Sequence, residues 1–153
     1  MARLQDIPEP TRTAVAALPC PAFESSPFVS GVPLHQRRVA MLSSAALIAR
    51  GDEPFAIGSG EFRAVPAAGR EADILISHVS INFDRAGFQR DLNVVYPIDR
   101  LRELAHEGLI GSVASTHYSC MGSTDPSAME AGVDALAAAL HADGVDAVLL
   151  TPV

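Results

Sequence analysis

Four short polar stretches stand directly after apolar runs, and they hold most of the side chains that could do chemistry. They are Ser43-Ser44, Ser77-His78 with the loop after it, Thr116 through Gly122, and Thr151-Pro-Val153. Each apolar run is typical of a buried strand, and open α/β sheets bind ligands beyond the carboxyl ends of their strands. We therefore expect these stretches to converge on one site.

Two histidines are the first candidates for proton transfer. His117, beside Tyr118, could donate a proton or bind an anion, because histidine titrates near neutral pH; the alternative is a His–Tyr pair hydrogen-bonded at a strand end. His78 is followed by Asp84 and Asp91, but this spacing matches no established metal motif. We therefore predict no metal site.

Cys120 could be a thiol nucleophile, because the helix that opens near Pro126 would lower its pKa, or it could be a small packed residue. Other common chemistries lack their motifs. Gly58-Ser-Gly60 is not a dinucleotide fingerprint, the chain has no lysine for a phosphate-binding loop, and Gly-x-Ser-x-Gly is absent.

The elements that would position these residues alternate between strands and helices from residue 38 onward. The pattern predicts strands at residues 39–44, 62–65, 72–79, 110–115 and 147–150, and helices at residues 97–108 and 125–144. Such alternation with short connections predicts an α/β fold with a three-layer, mainly parallel open sheet of the Rossmann-like or flavodoxin-like type.

Residues 1–36 form a Pro-rich N-terminal arm ahead of an α/β domain at residues 37–153. The arm lacks sustained periodicity apart from one short helix at residues 11–18. We expect it to lie across the domain or across a partner subunit. A flexible tail is the alternative, but Phe23, Phe28 and Val29 would then be apolar residues without a packing role.

Composition excludes several classes of function. A net charge of −7 argues against a nucleic-acid partner, and the apolar runs are too short to span a membrane. The N-terminus has no apolar segment typical of a signal peptide. Cys20 and Cys120 are far apart in the sequence, so we expect both to be reduced and the protein to be cytoplasmic.

Several blocks of sequence resemble the selenoprotein B family. They are Ser-His-Val-Ser-Ile-Asn-Phe-Asp at residues 77–84, the run with Tyr-Pro-Ile-Asp-Arg-Leu at 91–104, the block ending His-Tyr-Ser-Cys-Met-Gly at 111–122, and the terminal segment 143–153. The family contains the substrate-reducing subunits of glycine, sarcosine, betaine and D-proline reductases. The resemblance covers about residues 38–153.

The resemblance implies reductive cleavage of a C–N bond next to a carboxylate in a small amino-acid-like substrate. In the family, the segment similar to Leu-Thr-Pro-Val153 runs directly into a selenocysteine or cysteine, which attacks the α-carbon and displaces the amine. In some members a pyruvoyl group on a partner subunit activates that amine. The resemblance thus implies that selenocysteine follows Val153, that the domain is incomplete at its C-terminus, and that this chain holds no cofactor and is inactive alone.

The sheet edge and the resemblance together give the predicted site. The predicted catalytic residues are His117, His78 and Asp84. The predicted substrate-binding residues are Ser44, Asn93, Tyr118, Cys120, Gly122 and Thr151. The alternative function is a non-catalytic α/β small-molecule-binding or assembly subunit. In either case we expect a homo-oligomer, because an incomplete sheet exposes a strand edge.

Overall fold

The computed structural model describes residues 3–18, 22, 24–69, 71–80 and 85–153. Its strands are β1 (Arg38–Ser43), β2 (Leu47–Ala49), β3 (Arg63–Pro66), β4 (Ile74–Ile76), β5 (Ser112–Val113), β6 (Thr116–Ser119) and β7 (Ala147–Thr151). Its α-helices are α1 (Thr11–Ala16), α2 (Arg85–Arg90), α3 (Ile98–His106) and α4 (Glu130–Ala142). Short 3₁₀ helices lie at Leu4–Asp6, Leu34–Gln36, Glu71–Asp73, Leu92–Val94 and Pro126–Met129.

The main sheet is built around β1. Along one edge, β7 pairs with β1 in parallel, with Val39 opposite Ala147 and Ser43 opposite Thr151. On the other side of β1, β5 pairs in parallel with its first residues and β6 with its last ones. The strand β3 then pairs with β6 in the antiparallel direction. The predicted α/β class is confirmed, but the sheet is mixed, and a Rossmann-like arrangement is not confirmed.

The strand predicted at residues 72–79 is shorter than expected and lies outside the main sheet. It is β4, which pairs antiparallel with β2 in a separate two-stranded sheet, with Leu47 opposite Ile76. Its assignment to a parallel sheet was wrong, because the chain leaving β1 turns back through Ala46 and pairs with this segment. The Ser77 N–H donates to the Ala46 carbonyl at 2.9 Å and continues that pairing.

The hydrophobic core lies mainly on one face of the main sheet. Val39 and Met41 of β1 belong to one buried cluster with Tyr96 and with Ile98 and Leu101 of α3. The helix predicted at residues 97–108 is therefore confirmed in type and in its buried face. It ends before Gly108, whose φ of +74° favours glycine.

The helix α4 lines a cleft together with β7 and is less buried than α3. The predicted start is confirmed as an N-cap, because the Asp125 carboxylate accepts the Ser127 N–H, although a 3₁₀ turn precedes α4. No residue of α4 is buried. The strand predicted at residues 147–150 is present, but it is not buried as expected: among the described residues β7 pairs with β1 alone, and Leu150 is 65% exposed.

The described residues of the arm make few packed contacts. The predicted helix at residues 11–18 is confirmed as α1, and every described residue before Arg37 is exposed or half-buried. Phe23 and Cys20 lie outside the described residues, and the boundary between arm and domain stays a prediction. Among the helices that the structure describes, none combines the length and apolarity needed to cross a membrane.

Candidate functional site at the carboxyl edge of the sheet

The four polar stretches meet around residues 44–46: three of them follow the parallel strands β1, β6 and β7, as expected, and Ser77 arrives through the separate pairing of β4 with β2. The Ser44 N–H donates to the Thr151 carbonyl at 3.1 Å, which ties the loop after β1 to the end of β7. The Ala46 N–H donates to the Cys120 carbonyl at 2.9 Å, and the Ala46 carbonyl accepts the Ser77 N–H at the same distance. Each of the other three stretches is thus hydrogen-bonded to the loop that follows β1.

Ser44 lies at the centre of this edge. Its carbonyl accepts the Gly122 N–H at 3.0 Å, and its Oγ accepts the Val153 N–H at 2.9 Å. The Ser44 hydroxyl therefore still has its own proton to donate. A Cβ at Gly122 would lie 2.7 Å from the Ser44 carbonyl oxygen, so only glycine fits this approach. Thr151 Oγ1 is also buried there and has no hydrogen-bond partner within the described ranges.

Two buried serines hold this edge together, and sequence reasoning missed their role. Ser119 Oγ donates to the Ser43 carbonyl at 2.9 Å and accepts the Leu47 N–H at 2.8 Å. Ser43 Oγ donates to the Val95 carbonyl at 2.8 Å and accepts the Ala45 N–H at 3.3 Å. A serine as the last residue of each of two neighbouring strands was the available signal.

Cys120 is packed rather than presented to solvent. It is 6% exposed, and its N–H donates to the Ser43 carbonyl at 3.0 Å. Burial raises the pKa of the Cys120 thiol. The thiol is therefore protonated at neutral pH, which matches the packed alternative better than the nucleophilic one.

His117 is fully buried, and its ring accepts a backbone N–H of β1 that a backbone carbonyl would accept in a regular sheet. Its Nδ1 accepts the Met41 N–H at 3.0 Å, and its ring meets Tyr96 edge-on with centroids 5.5 Å apart. Burial, reinforced by the charge of Arg102, lowers the pKa of His117 to about 4. A neutral ring held in this way favours a structural role, and its aromatic neighbour is Tyr96 rather than Tyr118.

A bulge between β5 and β6 explains the position of His117. Arg38 and Val39 of β1 pair with β5 while Leu42 and Ser43 pair with β6, so the two β1 residues between these pairings lie opposite four residues, 114–117. The Asp143 carboxylate accepts the freed N–H groups of Ser115 and Thr116 at 2.9 and 3.3 Å, and His117 fills the gap left beside β1.

Tyr118 lies on the opposite face of β6, because neighbouring strand residues alternate in direction. It pairs with Leu42 and with Ala64. Tyr118 is half-buried, and burial, followed by the charge of Asp143, raises the pKa of its hydroxyl. It can donate a hydrogen bond at neutral pH but does not ionise there.

The remaining predicted residues are held by other parts of the chain. His78 is buried, its Nδ1 accepts the Ser80 N–H at 3.2 Å, and burial followed by the charge of Arg85 lowers its pKa. Asn93 caps α3, because its Oδ1 accepts the Asp99 N–H at 3.0 Å. Asp84 lies outside the described residues.

Across the described ranges, no group of three His, Cys, Asp or Glu side chains is placed to hold a metal ion.

Comparison with known proteins identifies the family. The family model described as glycine/sarcosine/betaine reductase selenoprotein B matches residues 67–153, which is more than half of the chain. The chain belongs to this selenoprotein B family. The resemblance found in the sequence is thereby confirmed. The matched segment includes β4 to β7 and therefore three of the four stretches at the carboxyl edge, while Ser44 precedes it.

Two curated relatives support the assignment to the selenoprotein B family. D-proline reductase subunit gamma of Acetoanaerobium sticklandii is 33% identical over 122 residues, which cover 77% of this chain and 49% of that protein. Glycine reductase complex component B subunit gamma of Carboxydothermus hydrogenoformans is 30% identical over 140 residues, 88% of this chain and 32% of that protein. The chain thus spans about half and about a third of these relatives. No solved structure matches it significantly.

Proposed function

We propose that this chain is part of a substrate-reducing subunit in an amino-acid reductase complex that cleaves a C–N bond next to a carboxylate. The observation that carries the proposal is the hydrogen-bonded convergence of Ser44, Gly122 and Thr151 at the end of β7. Both curated relatives are named as subunits of amino-acid reductases, which supports the proposal. We further propose a cytoplasmic location, where selenols and thiols stay reduced.

The residues of the edge can bind a small carboxylate but offer little acid–base chemistry. The hydroxyl group of Ser44 is an available donor for a carboxylate oxygen. The neighbouring His117 and Cys120 are neutral at pH 7. In this proposal the described residues bind and orient the substrate, while Asp84 and His78 remain candidates for moving a proton.

The nucleophile in this proposal is a selenocysteine or cysteine placed after Val153, and it would supply displacement of the amine from the α-carbon. The edge fits such a residue. The Ser44 N–H and Oγ bind the Thr151 carbonyl and the Val153 N–H, so the backbone at the end of β7 is fixed at both positions. Activation of the amine by a pyruvoyl group would come from a partner subunit.

A non-catalytic binding or assembly subunit is the second candidate function. It is favoured by the burial of His117 and Cys120, which removes the two described side chains with the most reactive chemistry from solvent. In that case the carboxyl edge would still bind a small molecule or a neighbouring subunit, and no turnover would occur at it.

The deciding experiment begins with the gene and the native protein. We would sequence the gene through codon 154 and beyond, and measure the mass and selenium content of the protein from its source. An in-frame UGA with selenium in the protein supports the reductase proposal. An ordinary stop codon, with a native mass equal to that of this chain, would refute it and favour the assembly subunit.

A functional assay then tests the role of the edge. The full reading frame, assembled with its partner subunits and a dithiol reductant, would be assayed for amine release from glycine, sarcosine, betaine and D-proline. Ser44→Ala should raise KM, because the hydroxyl binds the substrate, and should also lower kcat, because the Val153 N–H loses the acceptor that fixes the backbone before the nucleophile. Ser127→Ala, at the exposed start of the 3₁₀ turn before α4, is the matched control. No release from any of the four substrates would contradict the proposed substrate class.

A further inference from the structure

The loop that follows β1, residues 44–46, is held at both of its ends by the hydroxyl group of Ser119. Ser119 Oγ donates to the Ser43 carbonyl at 2.9 Å, just before the loop, and accepts the Leu47 N–H at 2.8 Å, just after it. Ser119 is fully buried. Removal of its hydroxyl would therefore leave the Leu47 N–H buried without an acceptor and would release both ends of the loop.

The peptide group between Ser43 and Ser44 is fixed from both of its sides. Its carbonyl accepts the Ser119 hydroxyl at 2.9 Å and the Cys120 N–H at 3.0 Å, which uses both lone pairs of the oxygen. Its N–H, which belongs to Ser44, donates to the Thr151 carbonyl at 3.1 Å. Because a peptide group is planar, these three hydrogen bonds fix the plane from which the Ser44 side chain leaves the backbone.

The backbone inside the loop is strained at Ala46. Its φ is +54°, in the left-handed region that residues other than glycine rarely adopt. The Ala46 N–H donates to the Cys120 carbonyl, and the Ala46 carbonyl accepts the Ser77 N–H, each at 2.9 Å. A conformation of this kind persists only where the surrounding contacts hold it. We therefore expect the loop to relax when the Ser119 hydroxyl is lost, and Ser44 lies two residues from the strained position.

We infer that Ser119 is a positioning residue for the Ser44 hydroxyl, and through that hydroxyl for the substrate carboxylate and for the backbone at Val153. Ser44 Oγ accepts the Val153 N–H at 2.9 Å, so displacement of the Ser44 side chain also loosens the backbone after β7. Ser119 is fully buried and acts through Ser44 rather than by touching the substrate. The effect on the substrate rests on the proposed function, whereas the effect on the loop does not.

Amide hydrogen exchange of the 153-residue chain, followed by NMR, tests the position of the loop without an assay of activity. Ser119→Ala should speed exchange of the Ser44 and Gly122 amides at least about tenfold more than Asp143→Ala does, because both amides donate within the loop network. Asp143→Ala is the matched control, because it removes hydrogen bonds at the amino-terminal ends of β1 and β6 instead. Equal exchange rates of these two amides in the two variants would overturn the inference.

A double-mutant cycle in the assembled reductase tests the effect on the substrate. Ser119→Ala should raise KM and lower kcat, with kcat/KM reduced roughly tenfold, and circular dichroism would verify that each variant is folded. In a chain that already carries Ser44→Ala, the same substitution should change kcat/KM by less than about twofold, because the hydroxyl that Ser119 positions is gone. Asp143→Ala should leave kcat/KM unchanged. Equal effects of Ser119→Ala in both backgrounds would indicate a general loss of structure and would overturn the positioning role.

The two experiments separate this inference from the proposed function. If the unaltered complex releases amine from none of the four substrates, the proposed function fails and the connection of Ser119 to a substrate is overturned with it. Exchange of the Ser44 amide then decides by itself whether Ser119 positions the loop. If the complex turns over and Ser119→Ala leaves kcat/KM unchanged, the proposed function stands and the inference is overturned.

Discussion

Lowering the pH from 7.5 to 5 is expected to weaken the fold through His117. The ring is fully buried and its Nδ1 accepts the Met41 N–H, so the fold accommodates only the neutral form. Burial is the largest cause of the lowered pKa, and the charges of Arg102 and Arg38 add to it against the opposing effect of Asp143. Together they lower the pKa of His117 from 6.5 to about 4.

The sign and size of the effect follow from proton linkage. In the unfolded chain His117 has its ordinary pKa and binds a proton at pH 5, whereas the folded ring does not. The stabilisation is therefore complete above pH 6.5 and is lost as the pH falls toward 4. The full effect is about 3 kcal/mol, and about 2 kcal/mol of it is lost by pH 5.

Urea unfolding at pH 7.5 and pH 5 measures this loss. His117→Gln keeps an oxygen acceptor for the Met41 N–H but does not titrate, and His106→Gln replaces a solvent-exposed histidine as the matched control. The parent chain and His106→Gln should lose about 2 kcal/mol more than His117→Gln. His78 is present in all three proteins and cancels. Equal losses in all three would refute the reasoning.

Three further predictions concern the network around the sheet. Asp143→Ala should lower the free energy of unfolding in urea by about 2 kcal/mol, because the Arg38 guanidinium and the N–H groups of Ser115 and Thr116 lose their acceptor. An unchanged urea midpoint would contradict this prediction. Gly122→Ala should cost about 1–3 kcal/mol, because its Cβ would lie 2.7 Å from the Ser44 carbonyl oxygen. Gly87→Ala, whose Cβ would meet its nearest neighbour at 3.7 Å, should not destabilise. Alkylation of Cys120 by iodoacetamide at pH 7.5 should be at least about tenfold slower in the native chain than in urea, because burial protects the thiol and raises its pKa. Equal alkylation rates would show that the thiol is accessible in the native chain.

Sequence patterns predicted the elements whose signals are local. The helix at residues 97–108 and the N-cap at Asp125 depend on caps and spacing over a few residues, and both are confirmed. The strand predicted at residues 147–150 is present and parallel, and three of the four polar stretches meet at the carboxyl ends of parallel strands, as strand direction predicts. The family followed from the motifs at residues 77–84, 91–104, 111–122 and 143–153, all of which lie in the matched segment.

Sequence patterns did not predict features that depend on distant partners. β2 has only three residues, too few for a period, and its pairing decides that β4 leaves the main sheet. The helix α2 falls in a segment predicted as a polar loop. The position of His117 depends on a bulge whose N–H groups are bound by Asp143, 27 and 28 residues further along the chain. None of these interactions leaves a local signal.

The chemistry at the carboxyl edge is divided between groups that bind and groups that react. Ser44 offers a hydroxyl, and its backbone packs closely against Gly122, an arrangement that suits a carboxylate. Cleavage of a C–N bond also needs a nucleophile and a proton for the departing amine. Cys120 is buried and protonated, and His117 is neutral with its Nδ1 occupied, so neither supplies these at pH 7. The reductase proposal therefore requires a separate nucleophile at this edge, and the fixed backbone at the end of β7 is the structural feature suited to deliver it.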